Sequence, residues 1–229
     1  MTLRVLDLFC GEGGAGVGYT LAGLAAFGVD NAPARLKHYP YPSHCGDAVE
    51  YALTHGREYD FIHASPTCTG YSRGTAAIPD RLTRYERLIA VVREVLIDLG
   101  VPYVIENVAD ARRELRSPIM LCGRMFGLQA VDDDGTKVVM DRHRLFESNL
   151  PLTAPRHEKH DRSLQVAGSY GGARRDKTEA RLIRKGGYVP SVSVQRELLG
   201  TPWMTEKGCQ LSIPPAYAEH LGRQVATLL

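Results

Sequence analysis

The sequence predicts an α/β protein: a doubly wound, mostly parallel sheet with a small, loop-rich basic insert. Two observations predict this class. Short apolar runs alternate with helical stretches through the first half of the chain, and the first run leads directly into a glycine-rich turn and a helix. At 229 residues the chain is long enough for one good core with a small appendage.

The first unit is a strand, a glycine-rich turn and a helix. Residues 4–9 form a short run dominated by apolar residues, and residues 10–14 are Cys-Gly-Glu-Gly-Gly. Apolar positions then recur at helical spacing over residues 15–25. Glycines let backbone N–H groups approach a ligand, but the spacing is not that of a dinucleotide or triphosphate loop. A second strand at residues 26–29 ends in Asp30, which either holds ribose hydroxyls or caps the next turn.

Cys68 follows the apolar run 59–63 in a loop that contains Pro and Gly. The run predicts a buried strand, and in open α/β sheets ligands bind where the strands end. Small polar neighbours surround this cysteine, so it is placed like a nucleophile. The alternative is a small buried hydrophobe, which is what most free cysteines are.

Residues 81–99 show the clearest helical pattern in the chain, and Gly100 ends it. The next apolar run, residues 101–105, predicts a strand, with Glu106 and Asn107 at its end. A carboxylate buried without a partner costs several kcal/mol. Glu106 therefore either caps a following helix or faces the same crevice as Cys68.

The second half of the chain has shorter elements. Residues 132–135, Asp-Asp-Asp-Gly, predict a hairpin turn, and residues 140–147 predict a strand. In strand geometry Arg142 and Arg144 share one face, which suits either an anionic or oxygen-rich ligand or a solvated edge. Helices are predicted to close the chain at residues 195–199 and 216–228.

The positive charge is gathered in one segment. Residues 149–194 carry nine Lys or Arg against four Asp or Glu, a net charge of +5, whereas the whole chain carries +2. This segment is rich in glycine and weakly periodic, so we predict a basic insert between residues 1–148 and 195–229, which form the catalytic domain. Its charge favours a polyanionic partner.

The cysteines and the first residues of the chain indicate the cellular compartment. The first residues lack the apolar core of a signal peptide, and no apolar run reaches membrane-spanning length. We therefore expect a cytoplasmic protein with no membrane partner. The cysteines are scattered without a Cys-x-x-Cys pair, which argues against a disulfide framework and predicts no metal site; they are Cys10, Cys45, Cys68, Cys122 and Cys209.

Six short motifs occur in an order that resembles the cytosine-5 DNA methyltransferase family. They are residues 7–14 (DLFCGEGG), 66–68 (PTC), 106–108 (ENV), 142–144 (RHR), 196–200 (RELLG) and 213–216 (IPPA). The ordered set spans nearly the whole chain outside the insert. Thr67 and Thr69 depart from the family's usual Pro and Gln beside the nucleophile, and Met140 and Leu211 from its usual Gln and Asn.

The resemblance implies a Rossmann-like methyltransferase fold and S-adenosylmethionine as cofactor, with S-adenosylhomocysteine as product. Phe9 and the glycine turn would cradle the cofactor, Asp30 would hold its ribose, and Asp47 would lie near its adenine. The helix that begins at Pro214-Pro215 would wall the methionine end. The implied cofactor residues are Asp7, Phe9, Gly11, Gly13, Gly14, Asp30, Asp47 and Pro66.

The resemblance also implies a catalytic set. Cys68 would add to carbon 6 of cytosine, and Glu106, with a raised pKa, would hold the N3 and amino edge of the base. Arg144 would hold the carbonyl oxygen of the base, and Arg142 would lie near the thiolate or a phosphate. The target base must leave the stacked duplex for this chemistry to occur.

The resemblance implies double-stranded DNA as the partner. We expect a monomeric enzyme from a bacterial or phage-infected cell. Residues 73–80 are the expected lid over the flipped base, and the short insert predicts a short or relaxed recognition sequence. The expected DNA contacts are Ser72, Arg73, Arg174, Arg175, Arg184 and Lys185.

Three alternatives remain open from sequence. The same core could act on RNA, as the tRNA branch of the family does. The chain could be an inactive relative that binds cofactor and DNA, although Cys68, Glu106 and Arg144 are intact. A modified cofactor could also deliver a group other than methyl to carbon 5.

Overall fold

The structure is a computed structural model that describes residues 1–71, 87–169 and 188–229. Within these ranges the strands are β1 (Arg4–Leu8), β2 (Ala25–Asp30), β3 (Ser43–Cys45), β4 (Phe61–Ala64), β5 (Tyr103–Val108), β6 (Ile119–Leu121), β7 (Gln129–Val131), β8 (Lys137–Val139), β9 (Arg144–Ser148) and β10 (Gln165–Val166). The α-helices are α1 (Gly14–Leu21), α2 (Pro33–Leu36), α3 (Ala48–His55), α4 (Ile89–Leu99), α5 (Val192–Leu199), α6 (Glu206–Leu211) and α7 (Pro215–Leu228).

The main sheet joins seven of the described strands in the order β3-β2-β1-β4-β5-β9-β6. Strands β1 to β5 run parallel, and β9 lies antiparallel between β5 and β6. The carboxyl ends of β1, β4 and β5 therefore meet at one edge of the sheet, where α/β proteins bind ligands. The predicted α/β class with a mostly parallel sheet is confirmed.

Both faces of this sheet are covered. Successive strand residues point to opposite faces, so each central strand supplies both cores. Helices α3 and α4 pack on one face and α1 and α7 on the other. The first core includes Leu6, Ile62, Leu96 and Ile105, and the second includes Val5, Phe61, Val104 and Tyr217, all fully or almost fully buried.

Helices α1 and α7 approach closely because glycines lie between them. A Cβ atom at Gly18 would lie 2.2 Å from the carbonyl oxygen of Pro215, and one at Gly222 would lie 2.7 Å from the Cβ of Ala22. A side chain at either position would push the helices apart. Since α1 starts directly after the glycine turn, this packing also fixes the turn.

A second, smaller sheet has the order β10-β8-β7 among the described residues. The predicted hairpin turn is confirmed, because β7 and β8 pair antiparallel around Gly135, which has a φ of 82°. Helices α5 and α6 cover this sheet. The described part of the predicted insert contributes β10 to it, so strands from both sides of residue 149 share one small core.

Three predicted boundaries are corrected. Helix α1 ends at Leu21 because Gly23 turns the chain with a φ of 94°. Strand β5 extends to Val108, so Glu106 and Asn107 lie within the strand, paired with β9, and not after it. Helix α4 begins at Ile89; residues 81–86 of the predicted helix lie outside the described residues.

Strand β9 also starts later than predicted. It begins at Arg144 because Arg142 has a left-handed φ of 32° and the N–H of Met140 bonds to Leu128 outside the main sheet. Arg142 and Arg144 therefore do not share a strand face. None of the described helices is long and apolar enough to cross a bilayer.

Candidate active site

A cavity of about 380 Å³ lies at the carboxyl ends of β1, β4 and β5. Of the twelve predicted site residues within the described ranges, nine line it: Asp7, Phe9, Gly11, Gly14, Asp30, Pro66, Cys68, Glu106 and Arg144. Leu211, Ser212 and Ile213, just before α7, form a further wall. The predicted contacts Ser72, Arg73, Arg174, Arg175, Arg184 and Lys185, and the lid at residues 73–80, lie outside the described residues.

The turn after β1 forms one end of the cavity. Gly11 has a φ of 55°, and its N–H donates to Asp30 Oδ2 at 2.9 Å, which joins the tips of β1 and β2. Phe9 has a φ of 60°, a conformation that costs a non-glycine residue about 1–3 kcal/mol and that collects at ligand sites. The hydrogen bond to Asp30 therefore holds the backbone of this turn in a conformation that borders the cavity.

Asp7 is a buried carboxyl group at this end of the cavity. Tyr39 donates to its Oδ2 at 3.3 Å, whereas Oδ1 has no hydrogen-bond partner among the described residues. Burial raises the pKa of Asp7 to about 7. A buried acceptor that lacks a donor and faces a cavity fits a ligand that brings a cation or an N–H group.

Three predicted cofactor residues act through packing or capping. A Cβ at Gly14 would lie 2.3 Å from the carbonyl oxygen of Ile213, so Gly14 admits the chain before α7. Gly13 has a φ of 93° and starts α1. Asp47 lies outside the cavity lining, and its carboxylate accepts N–H bonds from residues 49 and 50 as the N-cap of α3; its place near an adenine stays a prediction.

Cys68 lies in the loop after β4 and is half-buried, with its side chain in the cavity lining. The loop is fixed from behind because the Asn107 amide donates to the carbonyl oxygen of Pro66 at 2.9 Å. Burial raises the pKa of the Cys68 thiol, and the charge of Glu106 raises it further, while Arg144 opposes both. The structure favours the cavity-facing interpretation over a hydrophobe inside the core.

Glu106 faces Cys68 from β5. Its Oε1 lies 3.1 Å from Nε of Arg144, at the start of β9, and the Ser65 hydroxyl hydrogen-bonds the carboxylate. Burial raises the pKa of Glu106, and Arg144 and Ser65 offset this only in part. The carboxyl group therefore keeps a proton more readily than an exposed one.

A hydrogen-bonded chain behind Glu106 was not predicted. The Ser65 hydroxyl lies 2.8 Å from His63 Nε2, and His63 Nδ1 lies 2.9 Å from the Tyr19 hydroxyl. Burial lowers the pKa of His63 to about 3, so the ring is neutral. This chain holds the Ser65 hydroxyl in place, and its sequence signal is a histidine inside an otherwise apolar strand.

Arg142 lies away from the cavity lining. Its guanidinium is buried and donates to the carbonyl oxygens of Ser169 at 2.8 Å and Gln210 at 3.0 Å, and also to those of Cys209 and Ser212. These bonds occupy its guanidinium, and its place near the thiolate or a phosphate stays a prediction. Arg142 joins the small sheet to the wall before α7, and its charge acts on Cys68 and Glu106 without contact.

Known structures share this fold. A protein assigned as a DNA modification methyltransferase from an Escherichia coli prophage aligns with a TM-score of 0.59 at 15% identity, over 99% of both chains. The Dnmt2 methyltransferase of S. pombe aligns at 0.57 and 14% identity, over 100% of this chain and 99% of that one. The Entamoeba histolytica methyltransferase EhMeth aligns at 0.59 and 10% identity with the same coverage. No protein-family model matches the chain, and no curated protein matches its sequence significantly.

These alignments confirm the Rossmann-like methyltransferase fold that the motifs imply. The resemblance to the cytosine-5 DNA methyltransferases is thereby confirmed at the level of the fold.

Proposed function

We propose that this chain transfers a methyl group from S-adenosylmethionine to carbon 5 of cytosine in DNA. The observation that carries the proposal is the convergence of three side chains. Cys68 comes from the loop after β4, Glu106 from β5 and Arg144 from β9, and all three line one cavity although up to 76 residues separate them in the chain.

The other end of the cavity fits the cofactor. S-adenosylmethionine carries an ammonium, a sulfonium and ribose hydroxyl groups, and it supplies an electrophilic methyl group when bound. Asp7 offers a buried oxygen that lacks a donor among the described residues. Asp30 offers carboxylate oxygens as acceptors for the ribose hydroxyls, and the open space at Gly11 lets a ligand approach the backbone there.

Cys68, Glu106 and Arg144 then divide the work on the base. Carbon 5 of cytosine is a weak nucleophile, and addition of the Cys68 thiolate to carbon 6 makes it enamine-like. Glu106, whose pKa is raised by burial, donates its proton to N3 and so neutralises the charge that develops on the ring. Arg144 holds the ring carbonyl oxygen and keeps Glu106 in place. Carbon 5 then takes the methyl group, which leaves S-adenosylhomocysteine. Loss of the carbon 5 proton to solvent, return of the N3 proton to Glu106 and cleavage of the Cys68–carbon 6 bond release the methylated base.

The raised pKa of Cys68 limits when the thiolate forms. Burial and the charge of Glu106 both disfavour the thiolate. Protonation of Glu106 removes the second of these effects, so the acid and the nucleophile assist each other. Binding of the base therefore has to precede or accompany thiolate formation.

DNA is the proposed substrate, read as a flipped-out base. Cys68, Glu106 and Arg144 line a cavity, which a base stacked inside a duplex could not enter, so the target must be extruded. The exposed side chains of Arg156, Lys159 and Arg162 begin the basic segment and suit phosphates. One protein that shares this fold is assigned to DNA modification.

The test is methyl transfer followed by nucleoside mass analysis. Purified protein is incubated with labelled S-adenosylmethionine and, separately, duplex DNA, single-stranded DNA and tRNA. We expect 5-methylcytosine from duplex DNA, none from Cys68→Ala, and wild-type yield from Cys45→Ala, since Cys45 is exposed and outside the cavity lining. Product only from tRNA would move the proposal to RNA, and 5-methylcytosine from Cys68→Ala would end it.

A further inference from the structure

A second cluster of reactive side chains lies outside the cavity described above. Cys122, His143, His157 and His160 each offer one ligand atom, and these four atoms lie within 4.8 Å of one another. The Cys122 sulfur is 3.3 Å from His160 Nε2, which is 2.9 Å from His157 Nε2. The ring of His143 stacks on that of His160 at 5.1 Å.

Three separate segments build this cluster, which we call the Cys-His₃ cluster. Cys122 directly follows β6, His143 directly precedes β9, and His157 and His160 come from the chain after β9. Strands β6 and β9 are paired so that Leu121 lies opposite Arg144, which places Cys122 and His143 side by side. The fold therefore assembles the cluster from residues as much as 38 positions apart.

We propose that the Cys-His₃ cluster binds one zinc ion. Thiolate and imidazole are the ligand types of tetrahedral structural zinc sites such as Cys₂His₂ and Cys₃His, and the Cys-His₃ cluster offers four ligands of the same two types. Ideal bond lengths place the nitrogens of such a site about 3.3 Å apart and the sulfur about 3.6 Å from each nitrogen. The distances of 2.9 Å and 3.3 Å are within a few tenths of an ångström of these values. Four protein ligands leave no open position, so the ion is structural.

The surroundings of His160 match those of a metal ligand. Its Nε2 faces Cys122 and His157, while its Nδ1 lies 3.1 Å from Asp141 Oδ2. A carboxylate on the far nitrogen is the usual second partner of a zinc-bound imidazole, because it fixes the ring and leaves the near nitrogen unprotonated. Arg124 in turn holds Asp141 with a bond of 2.7 Å.

The ion would fasten the start of the basic segment to the edge of the main sheet. His157 and His160 belong to residues 149–194, whereas Cys122 and His143 flank paired strands of the sheet. His143 directly precedes Arg144, so the fastening lies beside the catalytic set. This proposal differs from the expectation of no metal, which rested on the missing Cys-x-x-Cys pair. It does not depend on the proposed methyl transfer.

The first test is the metal content of the full chain. Protein purified without chelator or metal-affinity resin is measured by elemental mass spectrometry, and we expect one zinc per chain. After exchange with Co²⁺, we expect the intense visible bands of tetrahedral cobalt and a sulfur-to-cobalt charge-transfer band. A wild-type chain without zinc, or cobalt with the weak spectrum of an octahedral site, would overturn the proposal.

Variants then assign the ligands. The double variant Cys122→Ser/His160→Ala is expected to lose the zinc, and Cys122→Ser alone to lose the charge-transfer band while histidine ligation persists. The matched control Cys45→Ser/His38→Ala changes an exposed cysteine and an exposed histidine and is expected to keep one zinc. Retention of zinc by the first double variant would contradict the assignment. If that variant does not fold, the wild-type cobalt spectrum decides the question.

Discussion

Two carboxylates on neighbouring strands, one on each face of the β5–β9 pair, have opposite environments. Glu147 of β9 lies opposite Ile105, on the face that α4 covers, and Glu106 lies opposite Phe146, on the other face. Glu147 accepts two bonds from Arg93, at 2.6 and 2.7 Å, and a third from the backbone N–H of Arg116. Glu106 has Arg144 at 3.1 Å and the Ser65 hydroxyl.

The difference separates a carboxylate that is fully paired from one that is paired only in part. Both carboxylates are almost fully buried, so each loses its hydration. The bidentate bond to Arg93 compensates Glu147 for this loss far more than the Arg144 contact compensates Glu106. The shortfall at Glu106 appears as its raised pKa. A carboxyl group that remains under-satisfied toward a cavity has binding capacity left for a ligand.

The largest expected effect is on activity at Glu106. Glu106→Gln keeps the shape but removes the ionisable proton, so we expect kcat to fall by about 10²–10⁴-fold. Measured by methyl transfer to duplex DNA, an unchanged kcat would contradict a catalytic Glu106. Glu147→Gln, the matched change on the opposite face, should leave kcat per folded molecule near the wild-type value.

The pH dependence of stability provides a second test with the variant Glu106→Gln. Because the folded state raises the pKa of Glu106, the wild-type residue stabilises below its unfolded pKa of about 4.5, and this contribution is lost as pH rises through the folded value. Glu106→Gln should therefore match or exceed the wild type in Tm at pH 8 and lose that advantage in acid. A lower Tm at pH 8 would show that the Arg144 contact outweighs burial.

The second effect is on stability at Glu147. Glu147→Gln leaves the buried Arg93 without its ionised partner, and breaking such a pair costs about 3–5 kcal/mol. Urea unfolding at pH 7 measures the change, with Glu219→Gln as control, since Glu219 forms an exposed pair with Arg223 worth about 0–1 kcal/mol. Equal losses in the two variants would refute the contrast.

The third effect concerns cofactor affinity at Asp7. With a pKa of about 7, Asp7 ionises across the neutral range, and a cationic cofactor requires the ionised form. We expect the Kd of S-adenosylmethionine to weaken by up to about tenfold for each pH unit below 7 and to level off at higher pH. Calorimetric titration tests this; in Asp7→Asn the affinity should be weak and the slope absent.

The smallest effect is expected at Ser65. Ser65→Ala removes a donor to the ionised Glu106, which raises the pKa of Glu106 further while leaving its proton in place. We expect the alkaline limb of the kcat/KM profile to shift upward with less than a tenfold change at its maximum. A downward shift would mean that the hydroxyl does not act on Glu106.

The sequence predicted the sheet, the glycine turn, the hairpin and the reactive part of the cavity lining because local patterns encode them. Apolar periodicity marks buried strands and helices, and the topology rule then places Cys68 and Glu106 at one edge. The boundaries failed where tertiary contacts override local pattern. Arg142 leaves the strand because its side chain is bonded to carbonyl oxygens at residues 169, 209, 210 and 212, which no local pattern encodes.

The hydrogen-bonded chain and the Cys-His₃ cluster could not be predicted in the same way. His63 joins Tyr19 and Ser65 only after α1 packs on β4, and a histidine in an apolar run is its sole sequence signal. The cluster needs the β6–β9 pairing to bring Cys122 to His143. Only the His-x-x-His spacing of His157 and His160 was visible beforehand.

Covalent trapping tests the central claim most directly. In duplex DNA that contains 5-fluorocytosine, carbon 5 has no proton to lose after methyl transfer, so the Cys68–carbon 6 bond cannot break. We predict an intact mass equal to protein plus methylated strand, with the attachment mapped to Cys68 and absent from Cys68→Ala. A methylated product without an adduct, or an adduct on another residue, would contradict the account.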